Sequence, residues 1–298
     1  MSYIFKTATE LETLCQQDQV SISEIAIRYE MELNAVDRSD IEHRMKTVLA
    51  AMGRAILEGK TTPQQSKTGM VTGDAFLLEQ ALKQHPQMIM SDIALKAMVW
   101  SMATNESNAC ANCIVACPTA GSAGIVPSAL FAVRERFELP EQALVAGLLN
   151  TSAIGLIIEA NAMLSGATGG CQAEDGSAAA MAASAITEMR GGSVEACLSA
   201  AALSLKNVLG LVCDPIGGLV EVPCVKRTTF MVMNAFTASD LAMAGITSKV
   251  PLDQVVDAMR RIGEQMPSTL RETAQGGLAT TAIGLAVKEK MAKQKASQ

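Results

Sequence analysis

Aromatic residues make up only 3% of the 298-residue chain, with one tryptophan and two tyrosines. A core with few large rings must be filled by small and flexible side chains. Alanine, methionine and leucine supply that mass here, and all three are strong helix formers. Basic residues are outnumbered, 24 Lys and Arg against 30 Asp and Glu, for a formal net charge of −6. That balance excludes the basic face a nucleic-acid partner needs and polybasic contact with an anionic membrane surface. Histidine is scarce: His43 and His85 are the two in the chain. No run alternates polar and apolar residues long enough to define a sheet. The N-terminus has no basic leader followed by an apolar run, so no signal peptide is expected. The longest apolar stretch, 144–164, is interrupted by Asn150, Thr151, Ser152, Glu159 and Asn161, which fits a buried core helix rather than a membrane span.

What is present reads as helix. Ser21-Ile-Ser-Glu24 and Ser39-Asp-Ile-Glu42 match the capping box and open amphipathic stretches over 22–35 and 41–58. This polar region, 1–60, is expected on the outside or against a partner, continuous with one large domain over 61–298. A glycine- and proline-bearing loop follows over 59–73. Beyond it, helices are predicted over 74–84, 91–109, 128–137, 141–164, 177–189, 193–207, 228–238, 252–265 and 280–293. The expected class is all-α, a single large helical domain joined by glycine-rich turns. A lysine-rich tail from Lys288 is expected to fray.

Eight cysteines without a secretion signal point to a reducing, cytoplasmic setting, where they serve as free thiols or ligands rather than disulfides. Two groups compete. Cys110, Cys113 and Cys117 have Cys-x2-Cys-x3-Cys spacing, which suits a metal cluster. The same spacing is helical, late in an apolar helix, and suits small buried core residues equally well. Cys171, Cys213 and Cys224 are dispersed, but each adjoins glycine or proline, in Ser165-Gly-Ala-Thr-Gly-Gly-Cys171 and Cys213-Asp-Pro-Ile-Gly-Gly-Leu-Val-Glu-Val-Pro-Cys224. Turns of that kind can hold a sulfur at a fixed point. Three such sulfurs would leave one position of a cluster open, as a Lewis-acid catalyst requires. Spacing does not choose between the groups. A zinc site is disfavoured because neither histidine is near these turns in sequence.

Four polar segments break the apolar pattern: 105–108, 118–127, 166–177 and 213–224. The turn through Thr119, Gly121 and Ser122 opens a helix and is a natural seat for a carboxylate. The plainer alternative is that Thr119 and Ser122 only cap that helix.

Asn105-Glu-Ser-Asn108, Pro118-Thr-Ala-Gly-Ser-Ala-Gly124, Gln172-Ala-Glu-Asp-Gly-Ser177, Cys213-Asp-Pro-Ile-Gly-Gly-Leu-Val220 and Met266-Pro-Ser-Thr-Leu-Arg-Glu-Thr273 occur in this order. Together with Ser66-Lys-Thr-Gly-Met-Val-Thr-Gly-Asp-Ala75, they resemble the α subunit of iron–sulfur-dependent L-serine dehydratase over most of the chain after about residue 40. The resemblance implies a [4Fe–4S] cluster held at a buried site by Cys171, Cys213 and Cys224, and demotes the 110–117 trio to core or incidental thiols. It implies dehydration of L-serine to pyruvate and ammonia, with an open iron drawing electrons from the β-hydroxyl. It also implies a separate β subunit, hence a hetero-oligomer, with self-association of the α chain left open. Candidates for the substrate carboxylate are Lys67, Thr68, Asn108 and the Thr119, Gly121 and Ser122 turn. Some single-chain relatives carry a further domain before this one and end in a cysteine that reaches the site; the tail here has none. No base for the α-proton is evident, since His43 and His85 both read as surface residues, and the β subunit is expected to supply it. Alternatives are a related iron–sulfur lyase acting on cysteine or another β-substituted amino acid, a pyridoxal-phosphate enzyme using Lys67 or Lys206, and a non-catalytic helical binding protein.

Overall fold

The computed structural model describes residues 2–84 and 88–296; His85 lies outside them. The first part of the chain forms α1 (Ala8–Asp18), α2 (Ile22–Asn34), α3 (Arg38–Thr61), α4 (Asp74–Gln84) and α5 (Asp92–Ala109). Then come α6 (Ile125–Arg136), α7 (Glu141–Asn161), the single turn α8 (Gly166–Gly169), α9 (Cys171–Met189) and α10 (Val194–Lys206). The chain closes with α11 (Cys224–Met243), α12 (Leu252–Gln265) and α13 (Ala282–Ala296). Among the described residues, the one strand-like pairing is an isolated parallel bridge between Cys213 and Arg271. The expected all-α class is what the structure shows.

Helix α9 is the axle of the bundle. Its run of alanines offers small surfaces on every side, so α6, α7, α10 and α11 all pack against it. A helix apolar all round belongs in the interior, and every residue of α9 is buried except Glu174, Glu188 and Met189. Helix α7 is long and apolar enough to cross a membrane by composition, but it is largely buried in contact with α2, α3, α6, α9 and α12. That is the core helix expected for this stretch. The polar N-terminal helices are amphipathic rather than peripheral: Leu11, Ile22, Ile25 and Met52 are fully buried in the main core.

Helix boundaries differ from expectation where glycine and proline mislead. Helix α1, absent from the sequence reading, is fixed by a full capping box between Thr7 and Glu10. Helix α3 starts at Arg38, with Asp37 in the N-cap position two residues before the expected Ser39. Helix α6 starts at Ile125 and takes Pro127 into its first turn, where proline's missing N–H costs nothing. Helices α9 and α11 start at Cys171 and Cys224, earlier than the expected 177 and 228.

Candidate active site

Two of the three glycine- and proline-flanked cysteines therefore open helices. Cys171 is the first residue of α9 and Cys224 the first of α11. Amide groups and the helix dipole at such a position favour negative charge on sulfur. Gly170, before Cys171, has φ +77°, and a Cβ there would press to 2.7 Å from the Leu211 carbonyl oxygen. Cys213 lies between α10 and α11 and is pinned by backbone bonds. Its N–H donates to the Leu270 carbonyl at 2.9 Å, and its carbonyl accepts from the Glu272 N–H at 2.8 Å. All three cysteines are buried and free of disulfides.

Cys171 Sγ, Cys213 Sγ and a carboxylate oxygen of Glu174 lie within 4.8 Å of one another, the one such cluster of His, Cys, Asp and Glu ligand atoms among the described residues. Glu174 follows Cys171 by one helical turn, which places both on one face of α9. Thr119 donates its hydroxyl to Glu174 Oε1. Burial nevertheless pushes the Glu174 carboxyl above its ordinary range, with a contribution from the charge of Glu272. Asp175, buried beside it, is pushed up to about 8 by burial and then by the charge of Glu174. The Cys171 thiol is raised by its hydrogen bond with Cys213 and by burial. Cys224 is raised by burial and then by the charges of Asp175, Glu174 and Cys213, which places it in the same electrostatic neighbourhood. Arg227 is the opposing cation. Its Nη1 donates to Cys171 Sγ at 3.0 Å and to the Val212 carbonyl at 3.0 Å, and its Nη2 pairs with Asp214 at 3.4 Å.

The structure sorts the other expected residues. Within the chain, the Thr119 hydroxyl of the 119–122 turn donates to the carboxylate of Glu174. Asn105 of α5 fastens this turn, donating to the Gly121 carbonyl and accepting from the Gly124 N–H at 2.8 Å. Ser122 donates to the Cys117 carbonyl at 3.3 Å, and its Oγ lies 3.1 Å from the Thr119 hydroxyl. Thr68 is bonded to Glu221, which also accepts from Ser66 at 2.6 Å, so the 66–71 loop is tied to the loop between Cys213 and Cys224. Lys67 is exposed and Asn108 half-buried at the end of α5. The 110–117 trio is not helical: α5 ends at Ala109, Ala111 has φ +62°, and Cys113 is exposed. Sequence reasoning missed Glu174 and Arg227. Each stands three residues after a helix-opening cysteine, and that spacing was the available signal.

The serine dehydratase alpha chain family model matches residues 17–279, and the chain belongs to that family. It is 46% identical over 291 residues to "Probable L-serine dehydratase, alpha chain" of Bacillus subtilis (strain 168), covering 97% of this chain and 95% of that one. Identity to "L-serine dehydratase, alpha chain" of Peptoniphilus asaccharolyticus is 38% over 291 residues, covering 98% and 99%. "L-serine dehydratase TdcG" of Escherichia coli (strain K12) is 32% identical over 292 residues, which is 94% of this chain but 63% of that longer protein.

Proposed function

We propose that the chain acts as the α subunit of a two-chain enzyme that converts L-serine to pyruvate and ammonia. The observation that carries this reading is the convergence of Cys171, Glu174 and Cys213 in a chain whose relatives are named L-serine dehydratases. The donor set suits an iron–sulfur cluster: three buried free thiols, two at helix N-termini, with a guanidinium against one sulfur. Cys171, Cys213 and Cys224 would hold a [4Fe–4S] cluster, which would supply a Lewis acid for the poor β-hydroxyl leaving group.

The chain's own residues bind and orient. Thr119 holds the Glu174 carboxylate beside the sulfurs. Arg227 offsets the negative charge that builds up there. For the substrate carboxylate the candidates remain Lys67, Thr68, Asn108 and the 119–122 turn. The exposed ammonium of Lys67 has charge to offer, while the Thr119 hydroxyl must be shared with Glu174. Removal of the α-proton requires a base, and histidine is the usual choice. His43 is exposed on α3, so the proposal assigns the base to the partner chain. Loss of the α-proton and the hydroxyl leaves aminoacrylate, which water converts to pyruvate and ammonia.

The test is anaerobic co-purification with the partner chain, iron counting, and a pyruvate assay on L-serine, threonine and cysteine. A broad brown absorbance with serine-dependent pyruvate is expected. Full activity without iron, or a sharp internal-aldimine band, would overturn the cofactor. Full-rate turnover by the isolated, iron-loaded chain would overturn the placement of the base.

A further inference from the structure

We propose that Arg227 is a positioning residue for the metal centre, joining all three cysteine-bearing segments through one guanidinium, and that Asp214 holds Arg227 in place. The inference rests on the reading of Cys171, Cys213 and Cys224 as ligands. Arg227 lies on α11 one turn after Cys224, so its backbone belongs to the first segment. Its Nη1 reaches Cys171 Sγ at the start of α9, 3.0 Å away. The same nitrogen donates to the carbonyl of Val212, the residue before Cys213, at 3.0 Å. Nη2 pairs with Asp214, the residue after Cys213, at 3.4 Å.

Both partners of that pair are buried, with side chains 14% and 7% exposed. Asp214 is itself fixed, because its second oxygen accepts from the Leu278 N–H at 2.8 Å. The approach requires a bare backbone at Gly277, whose φ is +57° and where a Cβ would meet Asp214 Cβ at 2.7 Å. A planar guanidinium can hold a sulfur, a carbonyl and a carboxylate at once, whereas an ammonium offers a single point of charge on a flexible stem. Partners that orient a metal ligand typically change metal affinity about 10–100-fold when removed. Hydrogen bonds and positive charge at a cluster's sulfurs also set its reduction potential.

The experiment compares the parent with R227Q and R227K. Each is co-purified with the partner chain and rebuilt anaerobically with iron and sulfide. The readouts are helical circular dichroism, iron loss to a chelator and the midpoint potential. The expected R227Q protein keeps its helices, releases iron about 10–100-fold faster and has a lower potential. R227K falls between the two, since it keeps charge and loses the fork. If R227Q does not fold, R227K decides. Parent-like iron release and potential in the folded variants would overturn the proposal. So would an R227K chain that loses its helices, because Arg227 would then support the fold at large. A parent that takes up no cluster would overturn the ligand assignment itself, and this inference with it.

Discussion

Replacing Thr119 with valine tests how the site holds its buried carboxylate. Valine keeps the branched shape of threonine and removes the hydroxyl that donates to Glu174 Oε1. A hydrogen bond to a charged group contributes about 1.5–3 kcal/mol, so T119V should lower the unfolding free energy by about 2 kcal/mol. In a chain of this size that corresponds to a fall in melting temperature of roughly 3–6 °C. Glu174 should also bind its proton more tightly, because a donor to its charged form is lost. The measurement is thermal and urea unfolding of the parent, T119V and T119S, with T119S expected to recover most of the loss. A T119V protein within about 0.5 kcal/mol of the parent, or a T119S protein as damaged as T119V, would refute the claim that this hydroxyl anchors Glu174.

Three further outcomes are expected. Anaerobic iron counts should fall sharply in C224A and stay at the parent level in C113S, whose thiol is exposed outside the site; the reverse would return the 110–117 trio to contention. Glu106 accepts from the Asp74 and Ala75 N–H groups at 2.6 and 3.3 Å, and burial pushes its carboxyl up to about 7 from 4.5. Because the folded value is the higher one, this group's contribution to stability is full below 4.5 and is lost as pH rises towards 7. Melting temperatures from pH 5 to pH 8 should therefore fall more steeply for the parent than for E106Q, and parallel curves would contradict this. G59A should lower the urea midpoint, because a Cβ there would lie 2.6 Å from backbone carbon of Ala103 and force α3 from α5. Overpacking costs about 1–3 kcal/mol, more than the helix-propensity gain of about 1 kcal/mol.

Legibility followed the range of each signal. Apolar periodicity and alanine content are local, and they gave the all-α class and the middles of most helices. Glycine was the main source of error, because it reads as a turn even where its task is packing. Gly176 lies inside α9, and a Cβ there would stand 3.0 Å from Val208, so the residue reflects the closeness of a neighbour rather than a break in the helix. The sequence marked Thr119, Gly121 and Ser122 as a candidate seat for a substrate carboxylate, and in the structure Thr119 donates to Glu174. It had no means of showing this contact with α9, since contact between distant segments leaves no mark on the composition of either. Arg227 was hidden for the same reason: its partners lie on α9 and on the segment before α11.

The placement of the base can be argued from how the nearby acids are committed. Glu174 is held by Thr119, Asp214 by Arg227 and Leu278, and Glu221 by Ser66 and Thr68. Glu106 caps the start of α4. A carboxylate that anchors a loop or a helix end gives up that anchor when it takes a proton, so these groups are poor choices for repeated proton transfer. Asp175 and Glu272 are the exceptions, and Glu272 is the more open of the two. Among the described residues no hydrogen bond reaches its side chain, and its Oε2 shares with Glu174 the space that a Cβ on Gly166 would meet. The chain thus offers sulfurs, a cationic clamp and a fixed acid, with Asp175 and Glu272 as the nearby carboxylates that anchor no loop or helix end among the described residues and no described histidine beside them. Full turnover by the isolated chain would make Asp175 and Glu272 the candidates for the α-proton; turnover that depends on the partner chain would place the base there and leave both as negative charge lining the site.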